Sequence, residues 1–181
     1  DRAVELCKGA MPNGELYDII IDDGGHYMEQ QQVTLYNLWN LLKPGGIFIV
    51  EDLHTSVIPE YNHHNTTTTL DLLGGMKEKE YRRSLYLTNG QQKEINGQIA
   101  DIRIWSKERS NTHGQTQAPS ITSVIIKTGN SSNHQLPAIN GPEEIMMNDI
   151  TAKQRELAGN NEELWQKKET PSSGQFKKEM T

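Results

Sequence analysis

The chain has 181 residues, of which 34% are apolar and 23% charged, with a net charge of −6 and a mean hydropathy of −0.73. The acidic balance excludes a binder driven by nucleic-acid phosphates, which needs clustered Lys and Arg. The single cysteine, Cys7, excludes an internal disulfide or a cysteine zinc site, and no apolar run nears the ~18 residues of a membrane helix.

Taken in chain order, residues 3–8 read as the end of a helix. Residues 17–21 are an apolar run, Tyr17-Asp18-Ile19-Ile20-Ile21, closed by Asp22-Asp23-Gly24-Gly25. Residues 47–50, Ile47-Phe48-Ile49-Val50, form another, entered through Lys43-Pro44-Gly45-Gly46 and left through Glu51-Asp52. Ile/Val runs bounded by Gly and Pro predict strands buried on both faces. Between them Leu35, Leu38, Trp39 and Leu42 recur at helical spacing, which predicts a helix over 29–42 stopped by Pro44 and Gly45. The unit is βαβ, so its strands are expected to be parallel. Leu70, Leu72, Leu73 and Met76 predict a helix within 66–79. Residues 100–105 and 121–127 read as an antiparallel pair joined by a long polar loop.

From Gly129 the composition turns polar, which divides the chain at 1–128 and 129–181. Ile150, Leu157 and Leu164 repeat at seven and predict an amphipathic helix in an otherwise flexible tail, interrupted at Gly159-Asn160-Asn161. The opening Asp1-Arg2 carries neither an initiator Met nor a signal-like stretch. The chain therefore reads as a fragment or processed product, expected in the cytoplasm.

Chemistry is expected where both parallel strands end, since α/β folds place ligands at the carboxyl ends of their strands. The first strand ends Asp22-Asp23-Gly24-Gly25-His26 and the second Glu51-Asp52-Leu53-His54. Strands lie about 4.8 Å apart, so these tips can share one ligand. Converging carboxylates repel unless a cation joins them, and a cysteine-free oxygen set suits Mg²⁺ or Ca²⁺ better than zinc. Asp22 or Asp23 can instead cap the following helix. His26 is placed to take a proton from a bound hydroxyl. His54 is a weaker candidate, and His63-His64 reads as a polar loop.

Residues 17–26 and 43–52, with His54-Thr55-Ser56 and Pro59-Glu60-Tyr61, resemble class I S-adenosylmethionine-dependent methyltransferases. The likeness is greatest to the metal-dependent sugar O-methyltransferases of macrolide biosynthesis. It implies a partial Rossmann-like fold, a mostly parallel sheet ending in an antiparallel strand pair. It also implies Asp23, Glu51 and Asp52 as Mg²⁺ ligands, His26 as general base, and a small-molecule hydroxyl, as on a sugar, as acceptor. The family's Gly-rich cofactor turn has no counterpart here, so the chain is expected to carry the metal-and-base half of the site and no residue for S-adenosylmethionine. Two rivals are a nicotinamide dehydrogenase and a non-catalytic scaffold that keeps the fold.

Overall fold

The computed structural model describes residues 2–11, 14–107 and 120–129. In it helix α1 (Arg2–Ala10) leads into strand β1 (Tyr17–Asp22). The Tyr17 hydroxyl donates to the Cys7 carbonyl at 2.7 Å and ties the helix to the strand. Helix α2 (Met28–Trp39) then crosses to strand β2 (Leu42–Val50). The expected βαβ unit is present: β1 and β2 are parallel, with Ile20 opposite Phe48 and Asp22 opposite Val50. That register brings the two strand tips level.

Helix α2 ends three residues earlier than its pattern predicts. Leu42 is the first residue of β2, fully buried, rather than the last of the helix. Strand β2 begins five residues earlier than expected for a related reason. Leu42 pairs with Tyr17 and Ile47 with Ile19, so Lys43-Pro44-Gly45-Gly46 bulges out of the ladder. A bulge tolerates Pro44, which has no N–H to donate. Gly45 takes φ 80°, and a Cβ on Gly46 would lie 2.9 Å from the Asp18 carbonyl oxygen.

Two 3₁₀ turns, Leu53–Val57 and Pro59–Tyr61, follow β2 and lead to helices α3 (Thr69–Lys77) and α4 (Asn89–Asn96). Strands β3 (Ile99–Lys107) and β4 (Ser120–Lys127) form the expected antiparallel pair, and the sheet order is β1-β2-β4-β3. Strand β4 also runs antiparallel to β2. The expected tail helix with Ile150, Leu157 and Leu164, and most of the loop before β4, lie outside the described residues.

One sheet face carries the core. Phe48 and Val50 of β2, Ile102 and Ile104 of β3, and Ile125 of β4 pack with Leu35 and Trp39 of α2, Leu70, Leu73 and Met76 of α3, and Ile95 of α4. The opposite face differs from expectation at β1. Ile19 and Ile21 are 54% and 57% exposed, because the described helices that pack with this sheet cover the Ile20 side. Among the described residues, burial on both faces is therefore not met at this strand.

Two buried polar clasps fix the helices to the sheet. The Lys127 Nζ at the end of β4 donates to the carbonyls of Trp39 and Leu42, each at 3.0 Å, and sits 5.3 Å from the Trp39 ring centroid. The Met28 sulfur, 1% exposed, receives the Thr69 amide at 3.2 Å, while the Ser56 hydroxyl receives the Leu70 amide at 3.2 Å. Both amides open α3, where a helix has no partners of its own to offer.

Candidate metal and proton-transfer site

At the carboxyl ends of β1 and β2, Asp23, His26 and Asp52 each present one ligand atom, and these atoms all lie within 4.8 Å of one another. Two of them come from the loop after β1 and one from the loop after β2. Asp52 stands between two imidazoles, with His26 Nε2 3.8 Å from its Oδ2 and His54 Nδ1 3.4 Å from its Oδ1. Asp23 is exposed, and His26 and Asp52 are half-buried. Glu51, expected with them, is not in this group. Its backbone is held between the strands, the amide donating to the Asp22 carbonyl at 3.0 Å and the carbonyl accepting from Gln31 Nε2 at 3.2 Å.

The backbone around the cluster is specialised. Asp52 adopts φ 52° and ψ 34°, the left-handed region, before the first 3₁₀ turn. A short polar side chain is among the few that enter it routinely, and such outliers concentrate at functional sites. Across the cluster, the buried Thr55 hydroxyl lies 3.0 Å from the His26 carbonyl and 2.9 Å from the Asp52 carbonyl, a donor available to both loops. Thr55→Val is expected to cost about 1–2 kcal/mol in denaturant unfolding, with Thr55→Ser restoring most of it. A full-strength valine variant would show that this hydroxyl does not join the loops.

Neither Asp22 nor Asp23 caps α2. The Gln30 side chain does so, its Oε1 accepting from the Tyr27 amide at 3.3 Å. Gln30 lies so close over Gly25 that a Cβ there would clash with its Oε1, so any larger residue displaces the cap. Asp22 instead turns inward. Its Oδ1 accepts from the Gly24 amide at 3.4 Å, and its Oδ2 is buried with no hydrogen-bond partner among the described residues. Burial pushes its carboxyl above the ordinary 3.8; the Gly24 amide and the His26 ring pull it down, and Asp23 pushes it up. Stability from a carboxyl raised in the folded state is complete below the unfolded value and is lost as pH rises through the folded value. Asp22→Asn cannot ionise, so in EDTA its Tm is expected to exceed wild type at pH 7, with the gap closing as pH falls below the ordinary 3.8. Parallel melting curves across that range would refute the burial argument.

The resemblance includes Thr55 in His54-Thr55-Ser56 but gives it no role, and no spacing marks its reach to both loops or the inward turn of Asp22. His63 has more structure than a polar loop implies: its ring stacks on Tyr27 at 4.8 Å between centroids and 26° between planes. His64 lies 6.4 Å from the Tyr86 ring.

A parallel βαβ unit with two carboxylates and an imidazole converging at its strand tips is the arrangement of a Rossmann-like α/β protein, a fold whose ligands bind outside the carboxyl ends of its strands. Sequence comparison is narrower. The chain is 34% identical over 56 residues to "Demethylmacrocin O-methyltransferase" of Streptomyces fradiae, covering 31% of this chain and 14% of that protein. It is 40% identical over 61 residues to the "8-demethyl-8-(2-methoxy-alpha-L-rhamnosyl)-tetracenomycin-C 3'-O-methyltransferase" of Streptomyces olivaceus, covering 34% of this chain and 15% of that protein. The chain thus spans about a seventh of the length of these curated relatives. Among solved structures, the MycE methyltransferase from the mycinamycin biosynthetic pathway, in complex with Mg and SAH, overlays with a TM-score of 0.45 at 18% identity, over 75% of this chain and 31% of that one. No family model matches the chain. The expected resemblance is therefore met, over about a third of the chain, by curated macrolide and tetracenomycin O-methyltransferases.

Proposed function

We propose that this chain carries the cation-binding and proton-accepting part of an S-adenosylmethionine-dependent O-methyltransferase that acts on a hydroxyl of a sugar or other small molecule. The observation that carries the reading is the convergence of Asp23, His26 and Asp52 within 4.8 Å at the tips of a parallel strand pair. Two carboxylates fit a hard divalent cation such as Mg²⁺, which leaves the imidazole free to take a proton, and a site with few protein ligands leaves positions for substrate oxygens. Asp23 and Asp52 would hold it, with Glu51 available from the same strand end. When bound, the cation supplies Lewis-acid polarisation of the acceptor oxygen.

The remaining steps belong to the chain. Asp52, fixed by its left-handed backbone and by the Thr55 bridge, orients the cluster. His26, 28% exposed at its side chain, keeps solvent access and accepts the hydroxyl proton at Nε2 as the oxygen attacks the donor methyl. S-adenosylmethionine brings the reactive methyl, so the protein's share is orientation and proton transfer.

The deciding experiment is calorimetric titration of the full-length protein with S-adenosylhomocysteine, with and without Mg²⁺. Binding supports the reading, whereas its absence in a folded protein favours a scaffold. With turnover in hand, His26→Ala is expected to lose about 10²–10⁴-fold in kcat. A variant that keeps wild-type kcat removes His26 as the base.

A further inference from the structure

Asp52 has an imidazole at each of its oxygens, and the proposed proton transfer uses only one of the two rings. His54 Nδ1 lies 3.4 Å from Asp52 Oδ1, closer than the 3.8 Å between His26 Nε2 and Oδ2. The rings also differ in setting. The His54 side chain is 13% exposed, against 28% for His26. His54 stands in the 3₁₀ turn Leu53–Val57, next to the buried Leu53, Thr55 and Ser56. Two amides close that turn, Thr55 donating to the Asp52 carbonyl and Ile58 to the Thr55 carbonyl, each at 3.1 Å. A ring on so short a closed turn has little freedom to move relative to Asp52 at its start.

Asp52 needs such a neighbour. Its backbone is set at φ 52° and ψ 34°, but the last torsion of an aspartate is broad and has no sharply preferred angle. A cation requires a carboxylate oxygen at one place, and ligating carboxylates are oriented by hydrogen bonds from groups that do not touch the metal. An ionised carboxylate offers two oxygens with about four lone-pair sites. A donor at Oδ1 fixes the plane of the group and leaves Oδ2, the oxygen that faces His26, free for other partners. Neutral imidazole is that donor when its single N–H sits at Nδ1. His54 is not itself in the converging group of Asp23, His26 and Asp52, so its place is to act through Asp52.

We propose that His54 is a positioning residue: its Nδ1–H donates to Asp52 Oδ1 and holds the Asp52 carboxylate so that Oδ2 is presented to the cation. The clause on the cation rests on the reading under which Asp23 and Asp52 bind one. The grip of His54 on Asp52 does not depend on it. The two imidazoles thereby divide the work, His26 taking the proton and His54 setting the ligand.

The test uses the full-length protein and two measurements. The first is imidazole nitrogen NMR in EDTA and alkaline buffer, which reads the tautomer of a neutral ring. His54 is expected in the Nδ1–H form in wild type and in the Nε2–H form, which a free histidine side chain prefers, in Asp52→Gly. The second is calorimetric titration with Mg²⁺ alone. His54→Leu is expected to weaken Mg²⁺ binding about 10–100-fold. His54→Asn, whose side-chain N–H₂ stands in for Nδ1–H, is expected to recover most of that loss, which a merely structural role would not predict. Thermal melts show whether both variants fold; if His54→Leu does not, the wild-type tautomer still decides. An Nε2–H ring in wild type, Mg²⁺ affinity unchanged in His54→Leu, or no recovery in His54→Asn overturns the proposal. So does a loss of kcat in His54→Leu at saturating Mg²⁺ with affinity unchanged, which would make His54 a base. A folded wild type that binds no Mg²⁺ overturns the cation reading instead, while an Nδ1–H ring that reverts in Asp52→Gly keeps His54 as the residue that holds Asp52.

Discussion

Asp52→Gly is expected to weaken Mg²⁺ binding roughly a hundredfold or more while leaving the fold as stable as wild type. Removing a metal's protein ligand costs at least what losing one of its outer supports does, about 10–100-fold. Stability is predicted to hold because two backbone effects oppose each other. A non-glycine residue in the left-handed region costs about 1–2 kcal/mol, and Asp52 sits there at φ 52°. Glycine relieves that strain but loses about 0.5–1 kcal/mol of chain entropy. Asp52→Val separates the effects, since a branched side chain at this φ is expected to lower stability by more than about 1–2 kcal/mol. Metal titration and denaturant melts of the two variants check the pair of expectations. Full Mg²⁺ affinity in Asp52→Gly would remove Asp52 from the cation site.

Lys127→Met is expected to destabilise the protein by about 2–4 kcal/mol, the net of two effects. The substitution leaves the buried carbonyls of Trp39 and Leu42 without the donor that serves both at 3.0 Å. It also removes a cation that burial disfavours, and this offsets part of the loss. Burial holds the Lys127 ammonium below the ordinary 10.5. The folded state therefore releases this proton before the unfolded state does, and the residue's contribution to stability rises with pH between the lowered value and 10.5. Urea melts at neutral and alkaline pH read both effects. A methionine variant as stable as wild type would show that the clasp contributes nothing.

What can be read in the sequence follows the physics of each segment. The strand pair and its ligand tips are legible because Ile19-Ile20-Ile21 and Ile47-Phe48-Ile49-Val50 are apolar and end in acids. Those tips point to Asp23, His26 and Asp52, and the structure brings the three together. They point equally to Glu51, which stands outside the group, since spacing alone does not tell which way a side chain leaves a strand end.

Helix α4 is not legible. Its sequence, Asn89-Gly90-Gln91-Gln92-Lys93-Glu94-Ile95-Asn96, has one large apolar residue and no stripe. Its inner face is completed by Gln92, whose amide donates to the Arg82 and Leu87 carbonyls at 2.7 and 3.2 Å. A buried glutamine fulfils there what periodicity seeks in leucine. Gln31 and Gln32 of α2 do the same, with Gln32 Nε2 donating to the Thr67 carbonyl at 2.9 Å. The exposure of Ile19 and Ile21 is hidden for the opposite reason, because composition shows that a residue is apolar and not whether anything covers it.

The thioether at Met28 has a consequence for how the molecule ages. Peroxide attacks sulfur that it can reach, and oxidation turns a soft acceptor into a bulkier polar sulfoxide. Met28 is 1% exposed and its sulfur already receives the Thr69 amide. Oxidant gains access only when the start of α3 lifts from α2, an opening whose free energy sets how often it occurs. Sulfoxide accumulating at this position is thus a chemical clock, counting excursions in which the corner two residues from His26 comes apart.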